Sequence, residues 1–206
     1  MPYSGKILIG LTGNIACGKS TVLAMLRELG AHTIDADRLV HTILRKGGPA
    51  YQPVLAEFGP SILDEHDEID RRALGRIVFS DPARLQRLEE ITHPIVRRIT
   101  EDEIARTDRP VVVLDAIKLI ESGWADRCDQ VWVVTCRPDQ QLHRLMSMRG
   151  YSREEAEMRI KAQPPQEEKI AHADVVIDNS GTIDHTRAQV LAAWQKLKER
   201  FTIHDL

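Results

Sequence analysis

A chain of 206 residues, 42% hydrophobic and 29% charged, has an ordinary globular composition and can bury one full core beside a small second unit. Its net charge of -3 excludes a broad basic field for nucleic acid, and Cys17, Cys128 and Cys136 are too few and too irregularly spaced for a disulfide framework or a zinc site. The first apolar run, Ile7 to Leu11, is shorter than a signal-peptide core or a membrane span, so the expectation is a cytoplasmic protein that meets neither membrane nor nucleic acid.

In chain order, Lys6 to Thr12 is a β-branched apolar strand, Lys19 to Leu29 an amphipathic helix and Ala31 to Asp35 a second short strand, together a βαβ opening. From about Leu39 to Arg109 the chain is polar and amphipathic. Helical spacing in Leu74, Ile77, Val78, Leu85, Leu88, Ile91, Ile95 and Ile99 makes it an inserted helical subdomain. Pro110 to Asp115, Gln130 to Thr135 and Ala173 to Asp178 are nearly continuous in Val, Ile and Leu, as parallel strands buried on both faces are. Met148 to His172 is charged, carries Pro164-Pro165 and has helical pattern with little apolar surface, the mark of a lid. A last helix covers about Ile183 to Phe201. The fold class is α/β, a parallel sheet flanked by helices: a nucleotide-binding core of 1–38, 110–147 and 173–206, an inserted subdomain of 39–109 and a lid of 148–172.

Between the first strand and the first helix stands Gly13-Asn14-Ile15-Ala16-Cys17-Gly18-Lys19-Ser20, the pattern G-x-x-x-x-G-K-[ST] in the setting its chemistry needs. Backbone N–H groups of such a loop wrap phosphates, and the helix N-terminus adds partial positive charge. Lys19 would reach the β- and γ-phosphates of ATP, and the Ser20 hydroxyl would hold Mg²⁺, with Thr21 beside them. Cys17 sits where a helix N-terminus and a lysine lower a thiol pKa; its plainer role is that of a small loop residue.

Asp35-Ala36-Asp37 ends the second strand, where an acid either caps the next helix or works on an acceptor hydroxyl. Asp115 ends the strand Val111 to Leu114 as a Walker B acid does, holding Mg²⁺, or as a simple strand-end turn. Arg144, Arg149, Arg153 and Arg159 either bring positive charge to a transferring phosphoryl group or form a solvated face. These residues fit an ATP-dependent small-molecule kinase; a nucleotide-dependent switch shares the phosphate loop alone.

Several segments in order resemble one family, dephospho-CoA kinase. They are Gly10-Leu11-Thr12-Gly13, Asp35-Ala36-Asp37, Asp70-Arg71 with Leu74 and Val78-Phe79, Leu88-Glu89 and His93-Pro94. They continue with Asp115 to Gly123, Gln141 with Arg144 and Arg149-Gly150, Arg159-Ile160 with Gln163, Lys169, and Ala173-Asp174 before Asp178-Asn179-Ser180-Gly181. The resemblance implies a P-loop kinase fold and transfer of the ATP γ-phosphate to the ribose 3′-hydroxyl of dephospho-CoA, with Mg²⁺. It implies that Asp37 is the general base, that Arg149 and Lys19 serve the transfer, and that Arg144, Arg149 and Asn179 join Gly13 to Thr21 in binding ATP. Arg71, His93 and Glu121 become substrate contacts beside Asp37, and Ser20 and Asp115 metal contacts. The partners implied are ATP and dephospho-CoA, with the chain a monomer or weak homo-oligomer.

Two departures stand out. The family usually has Gly at the positions of Asn14 and Ala16, which calls for positive φ at Asn14. Where relatives run Pro-Leu-Leu-Phe-Glu, this chain has Ile117-Lys118-Leu119-Ile120-Glu121, with Lys118 directed to a substrate phosphate or to solvent.

Overall fold

The computed structural model describes Tyr3 and residues 5–201. Its elements in chain order are β1 (Ile7–Thr12), α1 (Lys19–Glu28), β2 (His32–Asp35), α2 (Ala36–Ile43), α3 (Tyr51–Phe58), α4 (Arg71–Ser80) and α5 (Pro82–Arg106). They continue with β3 (Val111–Asp115), β4 (Gln130–Thr135), α6 (Pro138–Arg149), α7 (Arg153–Lys161), α8 (Gln166–Ile170), β5 (Val175–Asp178) and α9 (Ile183–Phe201). Two compact units result, one of residues up to Ile34 and from Thr107 onward, the other Asp35–Arg106.

The sheet of the first unit has the order β2-β3-β1-β4-β5, with β1 parallel to β3 and β4, and β5 parallel to β4. Strand order reverses at β1: the chain leaves it toward β3 and later returns on its β4 side. A phosphate loop at the carboxyl end of β1 therefore lies where open α/β sheets bind ligands. Every residue of β1, β3 and β4 is buried, so the unbroken apolar runs reflect cover on both faces. On one face Ile7, Ile9 and Leu11 alternate inward with Val111, Val113, Trp132 and Val134, and α1 and α9 cover them through Val22, Leu26, Val190 and Trp194. Gly10 is required on the other face, where an added Cβ would lie 2.6 Å from the Leu119 side chain. The lack of a side chain there lets the turn after β3 pack directly on β1.

The second unit carries its own core. Ile43, Tyr51, Val54, Phe58, Ile62, Leu74, Val78 and Val96 are buried together, with Leu85, Leu88, Ile91, Ile95 and Ile99 packed against them. The helical spacing seen in the sequence is the inward stripe of α4 and α5. Asp35 accepts from Arg38 N at 2.8 Å and so is the N-cap of α2, while Asp37 stands in that helix's first turn. Asp70 caps α4 through Arg72 N, and this bond holds its carboxyl below the usual range.

Candidate active site

The phosphate loop is shaped by close approach. A Cβ at Gly13 would lie 2.5 Å from Val134 O, and Gly18, the N-cap of α1 at φ 91°, would place one 1.9 Å from Asn179 Nδ2. Gly18 is thus fixed twice over, by conformation and by space. Among non-glycine residues of the loop, the left-handed one is Ala16 at φ 59°, so the expectation of positive φ at Asn14 is corrected. Asn14 instead ties the loop to a distant segment, its Nδ2 donating to Pro164 O at 2.9 Å.

Strain at Ala16 gives a direct test. An L-residue in this region costs roughly 1–2 kcal/mol, partly offset by the greater chain entropy that glycine loses on folding. Ala16→Gly is therefore expected to hold or raise stability, by up to about 1 kcal/mol in urea unfolding. Asn14→Gly should lower it, having no strain to relieve and a hydrogen bond to lose.

The loop's carbonyls are held from outside. Gln141 Nε2 donates to Ile15 O at 2.6 Å, Arg144 Nη1 to Ala16 O at 3.2 Å and Cys17 O at 3.1 Å, and Asn179 Nδ2 to Cys17 O at 2.8 Å. Arg144 Nη2 reaches Asn179 O at 2.7 Å, and Thr186 Oγ1 fixes Asn179 Oδ1 at 2.8 Å. With Gly18 as N-cap, the amides of Lys19 and Ser20 begin α1 without intrahelical acceptors, as an anion site requires. Lys19 Nζ forms an ion pair with Asp115 Oδ1, and both groups are largely buried.

Lys19 and Asp115 line a cavity of about 660 Å³ together with Gly13, Asn14, Ile15, Ala16, Gly18, Ser20, Thr21, Arg144, Arg149 and Asn179. Ile117, Met148, Gln163, Gly181 and Ile183 complete its wall, with Ile117, Met148 and Ile183 adding an apolar side. Cys17 lies beneath the loop, 1% exposed, and a hydrogen bond to Cys136 together with burial pushes its thiol pKa up. The thiol is protonated and buried, opposite to the lowered pKa its helix-terminal position suggests. The other lid arginines are engaged elsewhere: Arg153 pairs with Glu157 at 2.9 Å, and Arg159 lies 4.3 Å from the Tyr151 ring centre. Glu121 is half exposed and pairs with the buried Lys169 at 3.4 Å, and Lys118 is exposed.

Asp37, Arg71 and His93 belong to the helical unit. There Asp37 and Arg71 both act on His41, which motif reading overlooks. Burial and the Arg71 charge lower its pKa more than Asp37 and Asp35 raise it. His93 is half-buried on α5.

The model of the dephospho-CoA kinase family matches residues 7–185. The chain belongs to the dephospho-CoA kinase family. A dephospho-CoA kinase of Symbiobacterium thermophilum is 51% identical, over 91% of this chain and 80% of that protein. A crystal structure from Thermus thermophilus superposes with a TM-score of 0.82 at 37% identity, covering 93% of this chain and 97% of that one. A dephospho-CoA kinase from Campylobacter jejuni does so at 0.66 and 29%, with the same coverage. The chain is thus an ATP-dependent kinase built on the P-loop kinase fold, and among the described residues no helix is long and apolar enough to cross a membrane.

Proposed function

We propose how residues divide the work of the family's reaction, the transfer of the ATP γ-phosphate to the ribose 3′-hydroxyl of dephospho-CoA, giving coenzyme A and ADP. The observation that carries the reading is the Lys19–Asp115 pair in the wall of the same cavity as Ser20 and the α1 N-terminus. The amides at the α1 N-terminus, Lys19 and Ser20, hold the β- and γ-phosphates, and the Lys19 side chain follows the charge that moves onto the bridging oxygen. Arg149, exposed in the cavity wall at the end of α6, neutralises the equatorial oxygens.

Ser20 Oγ and Asp115 are hard oxygen donors in one cavity and would hold Mg²⁺ there. The ion would neutralise charge across the β- and γ-phosphates. Asp37 accepts the proton of the 3′-hydroxyl as the new O–P bond forms and the bond to ADP breaks. Arg71, His93 and Glu121 are assigned to dephospho-CoA binding on the family resemblance. The chain works in the cytoplasm as a monomer or weak homo-oligomer.

The test is incubation of the pure protein with ATP, Mg²⁺ and dephospho-CoA. Coenzyme A and ADP are expected in equal amounts. ADP without coenzyme A, or phosphorylation of a nucleoside monophosphate in its place, overturns the acceptor assignment.

A further inference from the structure

The segment from Gln163 to Lys169 is bonded at both ends to different parts of the site. At one end Gln163 Oε1 accepts from Ile15 N at 2.7 Å, and Pro164 O accepts from Asn14 Nδ2 at 2.9 Å. Asn14 commits to this contact at a cost, since its own Oδ1 is buried without a hydrogen-bond partner. At the other end the buried Lys169 Nζ donates to Ile117 O at 2.7 Å and pairs with Glu121 at 3.4 Å. Between the ends, Pro164-Pro165 fixes the backbone and α8 follows at once, so little slack separates the two anchors. The turn at the far end begins two residues after Asp115, and Ile117 lines the cavity.

We propose that residues 163–169 form a strap that ties the phosphate loop to the turn after β3, with Gln163 and Lys169 as its positioning residues. The inference rests on the assignment of the cavity to ATP. A nucleotide that orders Asn14 and Ile15 thereby orders the turn carrying Ile117 and Glu121, and an acceptor ordering that turn tightens the phosphate loop in return. A buried lysine is costly to keep for stability alone, because apolar replacements of buried charges are often neutral or better. Its position at the end of a stiff link supplies a reason for it.

The experiment reads coupling without requiring turnover. The turn amides Ser122, Gly123, Trp124 and Ala125 donate to Lys118 O, Ile120 O and Leu119 O, so their hydrogen exchange reports its order. A non-hydrolysable ATP analogue with Mg²⁺ is expected to slow that exchange about tenfold. Gln163→Ala and Lys169→Met should each abolish the slowing even at analogue concentrations that calorimetry shows to saturate that variant. Gln163→Glu keeps the acceptor oxygen and should retain the slowing. For kcat, the double variant should be no worse than the poorer single variant, because a strap cut once is already cut.

Lys169→Met leaves Ile117 O paired with Thr12 Oγ1 at 3.1 Å and Glu121 open to water, which favours a folded variant. Gln163→Ala carries the exchange test alone should it not fold. Protection that survives Gln163→Ala, or single losses in kcat that multiply in the double variant, overturns the strap. Absence of analogue binding in the unaltered protein overturns the nucleotide assignment and the strap with it.

Discussion

Lys19→Ala is expected to lower kcat roughly 10²–10³-fold at saturating ATP and dephospho-CoA, the range lost when one preorganised donor to a developing charge is removed. Asp37→Asn should cost less than about 10²-fold, the low end of what general-base catalysis contributes. The order follows from the transition state. Phosphoryl transfer is loose, so charge on the bridging and equatorial oxygens develops early while the acceptor keeps most of its proton until late. The Lys19 ammonium is held in a largely buried pair with Asp115 in the wall of the cavity, so its charge is already at the site before reaction. Initial rates of coenzyme A formation by the two variants decide the matter, and a larger loss for Asp37→Asn would show that proton removal governs the step.

Local pattern revealed what depends on near neighbours. Continuous Val, Ile and Leu at Val111 to Leu114 and Gln130 to Thr135 requires two covered faces, and both strands are buried throughout. Gly13, Gly18 and Lys19 announce their loop because their spacing alone fits a phosphate between strand and helix. The stripe from Leu74 to Ile99 revealed a separate helical core for the same reason of periodicity. Long-range partners were hidden. Gln141, Arg144 and Gln163 act on loop atoms more than 120 residues away, and nothing in their own surroundings specifies an acceptor. Cys17 resembles an activated thiol until the fold brings Cys136 beneath it and removes water from both. Positive φ falls at Ala16, while Asn14 is bonded through its side chain to Pro164 O, a long-range partner that no glycine pattern encodes.

Arg144→Lys is expected to raise the KM for ATP roughly 10²-fold, with a much smaller change for dephospho-CoA. The guanidinium serves three carbonyls from two segments, Ala16 O and Cys17 O through one nitrogen and Asn179 O through the other. A lysine keeps the charge but loses the planar fork, and a single ammonium on a flexible stem cannot span both segments in fixed geometry. Hydrogen bonds from charged donors contribute about 1.5–3 kcal/mol each, and water recovers part of this at half-buried carbonyls, so a net loss near ~3 kcal/mol is reasonable. That loss corresponds to about two decades in affinity if the phosphate-binding shape of the loop depends on it. Calorimetry with a non-hydrolysable ATP analogue separates the clamp from any part in transfer. Unchanged affinity would mean that the turn closed by Cys17 N on Asn14 O at 3.2 Å, with Asn179 Nδ2 on Cys17 O, holds the loop without Arg144. Weakened binding with kcat preserved would place Arg144 behind the loop as its support, its charge acting on the nucleotide only through the backbone it holds.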